Sequence, residues 1–514
     1  MDDLWMRIAD PLSDRGQRIN QVSNCPAAHS GDVPCDSVGI ESRQIRCASL
    51  FLVPPIHSSS SREDHVQLMT TEPELEVRTA DGGEGLLTLA ILTLVVGAGA
   101  GLIGAAFRLA LEHGADWRNA LIAWAASGGS LAGFLLVTTA SAAAVSIAAW
   151  LVCRFSPAAS GSGIPYVEAV LRGEIPKAPF RLIPIKFVGG WLAIGSGLAL
   201  GREGPSVQMG ASIGDLVGQV FRRNLPDCRV LLAAGAGAGL ATAFNAPIAG
   251  AIFVLEELVQ QFESRIAIAA LGASATAIAV ARMFLGDAPD FQVGTLAYAG
   301  AETRPLYFVL GAFAGLVAIL YNRALLGTIA AANRLDRWPV PLRAALIGAA
   351  VGVLAWFAPS LVGGGDAITQ RTLAGADVLV SIPLVFLLRF ALGAVSYAAR
   401  TPGGLFAPLL VLGAQLGLLF GVFCRLLFPD LHIQPEGFAV VGMAAFFTGV
   451  VRAPLTGIVL VIEMTASVHM LLPMLGACFL AMLVPTVLHE APIYESLGAS
   501  LLRESRVSPI SVAK

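Results

Sequence analysis

About ten stretches of predominantly apolar sequence constrain this 514-residue chain more than any other feature. A helix of roughly 20 apolar residues crosses a bilayer core. The clearest candidates are 85–111, 129–153, 230–255, 266–281, 305–329, 344–362, 381–395, 405–428, 438–462 and 470–488. Composition agrees, because charged residues make up 13% against 55% hydrophobic, about half the charge expected of a soluble chain. The sequence therefore predicts an all-α polytopic protein of the lipid bilayer. Several runs carry Gly or Pro in mid-run or fall short of a crossing, which predicts broken or tilted helices. The net charge of −3 averages loops on both sides of a membrane and points to no partner; no nucleic acid is expected.

The first 84 residues differ in kind. They are polar, rich in Ser, Asp and Glu, and read as a disordered extension, with Met69 an alternative start. The apolar patch 47–56 is too short to span, and no secretory signal precedes it. Seven cysteines, at 25, 35, 47, 153, 228, 424 and 478, show neither a disulfide framework nor metal-clamp spacing. No metal site is expected.

Within the apolar region one acid stands out. Glu203 lies in Gly201-Arg202-Glu203-Gly204-Pro205, between two Gly-rich apolar segments. An ionisable side chain at membrane depth is costly and reads as functional. Flanking glycines let backbone amides approach a ligand, and Pro205 suits a first helical turn.

An internal repeat places this acid. Gly201, Pro205, Gly210, Ala211, Gly214 and Gly218 match Gly404, Pro408, Gly413, Ala414, Gly417 and Gly421 at an offset of 203. Gly235, Ala238, Ala246, Pro247, Gly250, Val254 and Glu256 then match Gly442, Ala445, Ala453, Pro454, Gly457, Val461 and Glu463 at an offset of 207. Corresponding Gly/Pro-interrupted segments point to a transporter's midplane site. Glu203 and Phe406 become equivalents facing one site. Three Gly-rich turns, each followed by Pro and a helical run, can offer free amides to an anion: Gly161-Ser162-Gly163-Ile164-Pro165, the Glu203 motif, and Gly404-Leu405-Phe406-Ala407-Pro408. Ser162 adds a neutral donor, which suits an ion that must also be released.

These three motifs, together with Phe244–Pro247, Glu256-Glu257 and Arg452–Gly457, resemble the CLC family of chloride channels and chloride/proton antiporters. The resemblance runs from about residue 86 to 502, and the bacterial antiporter branch is nearest. It implies a CLC-type fold of two inverted-topology repeats, about 85–300 and 301–502, followed by a short tail, 503–514. It also implies a homodimer with one pathway per subunit, a multi-pass bacterial inner-membrane location with both termini cytoplasmic, and no C-terminal nucleotide-sensing domain. The expected activity is chloride/proton exchange without enzyme activity or cofactor; a passive chloride channel is the alternative.

Carried over residue by residue, the resemblance makes Ser162, Leu405, Phe406 and Tyr494 anion ligands and Glu203 the gate and external proton acceptor. Glu257 becomes the internal proton station, and Gly161, Gly163, Gly201, Gly204 and Gly404 shape the motifs. Glu256 matches Glu463 in the repeat whereas Glu257 matches Met464, so Glu256 reads as structural and Glu257 as specialised. Lys186 and Glu168 are expected to pair. Arg202 is expected to satisfy local carbonyls or raise the anion potential, and Arg389, Arg400 and Arg452 read as solvated helix ends, with electrostatic focusing of anions the alternative. Gly99, Gly101 and Gly104 imitate a dinucleotide fingerprint but lie in an apolar run, where close helix packing explains them. A serine protease built on Ser162 or Ser196 with His469 or His489 lacks any sequence pairing of serine and base.

Overall fold

The computed structural model describes residues 83–128, 131–296, 300–335, 337–376 and 379–507. Among them lie seventeen helices and two isolated backbone bridges. The first half contains α1 (Gly83–Ser127), α2 (Leu131–Phe155), α3 (Ile164–Leu171), α4 (Leu182–Gly195), α5 (Glu203–Val220), α6 (Leu225–Phe244), α7 (Pro247–Phe253) and α8 (Ser264–Leu285). The second contains α9 (Arg304–Asn333), α10 (Val340–Phe357), α11 (Asp366–Leu373), α12 (Ile382–Tyr397), α13 (Phe406–Leu427), α14 (Pro435–Val451), α15 (Pro454–Thr465) and α16 (Leu471–Val487). Helix α17 (Ile493–Val507) follows and runs past residue 502, where the membrane domain was expected to end. The extension expected over 1–84 lies outside the described residues, except for the last two, which open α1.

Among the described residues, seven helices are long and apolar enough to cross a membrane. Two expected crossings are broken. The runs 230–255 and 438–462 each divide at a repeat-related turn: Asn245 (φ 51°) ends α6 and Arg452 (φ 74°) ends α14, and Pro247 and Pro454 restart the chain as α7 and α15. A left-handed residue followed by X-Pro cannot continue a helix. Breaks were expected in runs with mid-run Pro, and these two fall at Pro247 and Pro454.

Sequence periodicity explains the packing. Helices α6 and α14 are apolar all round and buried nearly throughout, so they form the centre. Leu87, Leu102, Leu131, Leu320 and Leu346 remain exposed on α1, α2, α9 and α10, the surface a lipid tail would cover. The repeated glycines are contact points. A Cβ on Gly210 would meet the Gly235 carbonyl carbon at 3.1 Å, and one on Gly413 would meet that of Gly442 at 3.0 Å. The α5/α6 and α13/α14 crossings thus use equivalent glycines. Likewise a Cβ on Gly101 would meet Ala277 Cα on α8 at 2.9 Å, so the apparent dinucleotide fingerprint is helix packing.

The halves are inverted about an axis that brings equivalents together. Gly201 N–H donates to Gly404 O at 2.9 Å and Gly404 N–H to Gly201 O at 2.7 Å, an antiparallel pairing of repeat-related residues. Glu256 accepts from the amides of Leu455 (2.9 Å) and Thr456 (2.6 Å) at the start of α15. Glu463 returns the arrangement, accepting from Ile248 (3.0 Å) and Ala249 (2.7 Å) at the start of α7. Each half caps a helix of the other with a carboxylate, which satisfies orphan donors and complements the helix dipole.

Candidate anion site

The three motif loops are laced by backbone hydrogen bonds before any side chain contributes. Gly161 N–H donates to Thr401 O and Gly403 N–H to Gly161 O, both at 3.1 Å, while Gly201 and Gly404 pair as described. Helices α3, α5 and α13 begin from these loops, and none has a side-chain cap at its N-terminus. Their first amides are left to groups brought in from elsewhere, and a side chain of another loop takes one of them.

Glu203 opens α5 and is fully buried. Its Oε1 accepts from Phe406 N at 2.6 Å, so the equivalents named by the repeat meet across the axis. Its Oε2 has no hydrogen-bond partner, and neither have the buried hydroxyls of Ser162 and Tyr494. The glycines make room for this cluster. A Cβ on Gly404 would lie 2.7 Å from Glu203 Cδ, and one on Gly204 would lie 2.6 Å from Ser162 Oγ. Leu405 and Phe406 are buried, and the Phe406 ring packs among Phe244, Phe253, Phe447 and Tyr494 at centroid distances of 4.6–6.3 Å. Buried polar groups without partners are costly. Three such oxygens at the meeting point of uncapped helix ends make this a polar site in an apolar shell.

The neighbouring acids Glu256 and Glu257 both lie in a single π-helical turn, Val254–Leu258. Such turns re-aim side chains within a helix. Glu256 leaves to cap α15, whereas Glu257 is buried, within electrostatic reach of Glu168, Glu256 and Arg172. Tyr494 lies within electrostatic reach of both Glu203 and Glu257.

Two expectations about cations are overturned. Lys186 does not pair with Glu168. It is fully buried and donates to the carbonyls of Ala159 (3.0 Å) and Gly161 (2.7 Å), while Glu168 accepts from Arg172 at 2.5 Å. Arg389 is no solvated helix end, being 2% exposed and donating to Leu361, Gly363 and Gly364 carbonyls at 3.2, 2.8 and 3.0 Å. The two cations are themselves repeat equivalents, each stapling the loop before a short helix (α3 or α11). Carbonyls turned inward by those loops demand a donor, and a long cation on the next helix reaches them.

Arg202 donates to Ala243 O at 2.7 Å, as expected, but it also bridges Asp290 (3.0 Å) and Asp366 (3.2 Å). Arg108 joins the same Asp290 at 2.8 Å. Ser196 donates to Ala193 O. Arg452 donates to Glu490 O and Thr486 Oγ1. Sequence reasoning missed Asp290, Asp366 and Tyr397, whose hydroxyl accepts from Ser162 N at 3.3 Å. No local motif marks these residues.

An inverted repeat of broken helices whose N-termini meet at a buried carboxylate defines an integral multi-pass membrane protein of the transporter type. The profile of the voltage gated chloride channel family matches residues 142–486. A protein described as H(+)/Cl(-) exchange transporter ClcA from Yersinia pseudotuberculosis serotype IB (strain PB1/+) is 38% identical over 435 residues, 83% of this chain and 90% of the relative. The protein of that description from Cronobacter sakazakii (strain ATCC BAA-894) is 40% identical over 425 residues, covering 81% and 90%. The crystal structure of a slow cyanobacterial Cl-/H+ antiporter superposes with a TM-score of 0.78 at 34% identity, over 81% of this chain and 99% of that one. The chain belongs to the CLC family.

Proposed function

We propose that this protein exchanges chloride for protons across a bacterial inner membrane, as a homodimer with one pathway in each subunit. The observation that carries the reading is the 2.6 Å bond from Phe406 N to Glu203 Oε1. The carboxylate holds an amide that, by resemblance, belongs to the anion, so ionised Glu203 and chloride compete for one donor. Protonation removes the charge that favours the carboxylate there and lets the anion in. Anion entry and proton release become two halves of one cycle.

Ser162 Oγ and Tyr494 Oη supply two neutral donors, and the Leu405 and Phe406 amides supply the rest. The buried cation Lys186 is committed to the carbonyls of Ala159 and Gly161 and Arg202 to Ala243 O, Asp290 and Asp366, so neither guanidinium nor ammonium is spent on the ion, which can leave. Glu257 serves as the proton station on the cytoplasmic side, with the Tyr494 hydroxyl between it and Glu203. Relatives named as exchangers support this direction of reading. The test is proton movement driven by a chloride gradient in liposomes. Uphill proton uptake that Glu203→Gln abolishes supports exchange, and chloride flux without proton movement in the wild type replaces the exchanger with a passive channel.

A further inference from the structure

The repeat separates charges that belong to both halves from charges added to one. At the offset of 203, Arg202-Glu203 corresponds to Leu405-Phe406, so a guanidinium and a carboxylate stand together where the other half is apolar. Glu203 Oε2 has no hydrogen-bond partner, and an arginine one residue away would ordinarily supply one. It does not. Arg202 Nε donates to Ala243 O of α6, Nη1 to Asp366 and Nη2 to Asp290, so all three guanidinium nitrogens are directed elsewhere.

Of the two acids, Asp290 has the stronger hold on Arg202. Its side chain is 3% exposed, against 54% for Asp366, and a buried charge is screened far less than one at the surface. A second guanidinium shares it: Arg108 Nη2 lies 2.8 Å from Asp290 Oδ1, an ion-pair contact without hydrogen-bond alignment. The chain fixes Asp290 from both sides. Asn245 Nδ2 donates to Ala288 O at 3.0 Å, and Phe291 N–H donates to Met464 O at 3.0 Å. Gln292 exchanges two bonds with the Gln370 side chain of α11, at 2.9 and 2.8 Å. Residues 288–292 therefore form a strap, with the buried acid at its middle.

We infer that Asp290 is a positioning residue for the proton step, drawing Arg202 away from Glu203 and so setting the pH at which that carboxylate takes up its proton. The inference rests on the reading of Glu203 as the proton-accepting gate. The other charges grouped with Arg202 are Asp366 on α11 and Arg108 and Glu112 on α1; both of these acids are about half exposed, and Arg108 is shared between Glu112 and Asp290. The Ser162 and Tyr494 hydroxyls and the Phe406 amide meet Glu203 as neutral groups, and Lys186 of α4 is spent on carbonyls. Without the Asp290 charge, two arginines confront Glu203 with only exposed acids to balance them. The excess positive charge, or direct pairing of Arg202 with Glu203 Oε2, favours the ionised acid and moves protonation to lower pH. A unit charge about 10 Å away at an effective dielectric of about 20 displaces such an equilibrium by about one pH unit.

The test is chloride flux as a function of pH for full-length protein in liposomes. On the Glu203 reading, wild-type flux rises as pH falls and Glu203→Gln removes that dependence. Asp290→Asn should move the half-maximal pH down by about one unit. The double variant Asp290→Asn/Arg108→Gln restores the charge balance and should bring the midpoint back towards wild type, whereas loss of a merely structural contact would change the rate and worsen in the double variant. Arg108→Gln alone should move the midpoint up, by less, because Glu112 shares that arginine; it also carries the test if Asp290→Asn does not fold. Asp290→Asn added to Glu203→Gln should introduce no pH dependence. An unmoved midpoint in Asp290→Asn overturns the inference, as does a double variant displaced further than the single one, or an unmoved Arg108→Gln where Asp290→Asn does not fold. A pH dependence that survives Glu203→Gln instead removes the reading of the gate, and the inference falls with it.

Discussion

Replacing Glu203 by glutamine should raise chloride affinity and erase its dependence on pH. In the structure the Glu203 carboxylate accepts from Phe406 N at 2.6 Å in a fully buried site. A hydrogen bond to an ionised acceptor contributes about 1.5–3 kcal/mol, against about 0.5–1.5 kcal/mol for a neutral pair. Chloride must displace this bond, so the neutral amide lowers the competition by about 1–2 kcal/mol, roughly a five- to thirtyfold gain in affinity. The sign with pH follows directly. Protonating wild-type Glu203 weakens its hold on the amide, so wild-type affinity should rise as pH falls, towards the value that Glu203→Gln shows at every pH. Isothermal titration of chloride into purified protein at several pH values measures both effects. Equal affinities for the two proteins at high pH, with the same slope in pH, would refute competition for the Phe406 amide.

Glu257→Gln should stop proton movement while chloride flux continues, whereas Glu256→Gln should keep coupling and instead lower stability by about 1–3 kcal/mol, because it removes a charged acceptor from two amides of α15; paired flux assays and detergent unfolding separate the outcomes. Ser162→Pro should shift selectivity from chloride towards nitrate, since it deletes the hydroxyl and the amide that Tyr397 Oη accepts; Ser162→Ala, which keeps the amide, should shift it less in competition fluxes. Lys186→Met and Arg389→Met should each destabilise the protein by about 2–4 kcal/mol in unfolding titrations, because two and three inward carbonyls lose their donors.

Much of this architecture was legible because the repeat is written in residue types that have steric meaning. The glycines at 210 and 235, and at 413 and 442, mark helix crossings where a Cβ does not fit, and the acids at 256 and 463 cap reciprocal helices. Glu203 and Phe406 were placed face to face by the offset alone, and their hydrogen bond agrees. What escaped was either conformational or long-range. The mid-run prolines announced breaks in 230–255 and 438–462 but not the left-handed residues, Asn245 and Arg452, that end the helix before each. The π-turn that holds Glu256 and Glu257 leaves no compositional trace. Lys186 and Arg389 bond to carbonyls 25–28 residues away, and Asp290 reaches Arg202 from the segment between the halves. Such partners follow from the folded loops, and no local pattern announces them.

The central claim is that one site couples two ions, and the zero-current voltage tests it most directly. Purified protein in liposomes, held under a fixed chloride gradient, is given a pH gradient of either sign. Exchange through a shared carboxylate predicts that the voltage at zero current lies away from the chloride equilibrium value and moves when the pH gradient is reversed, and that Glu203→Gln returns it to the chloride value. A wild-type voltage that stays at the chloride value under both pH gradients would contradict the account.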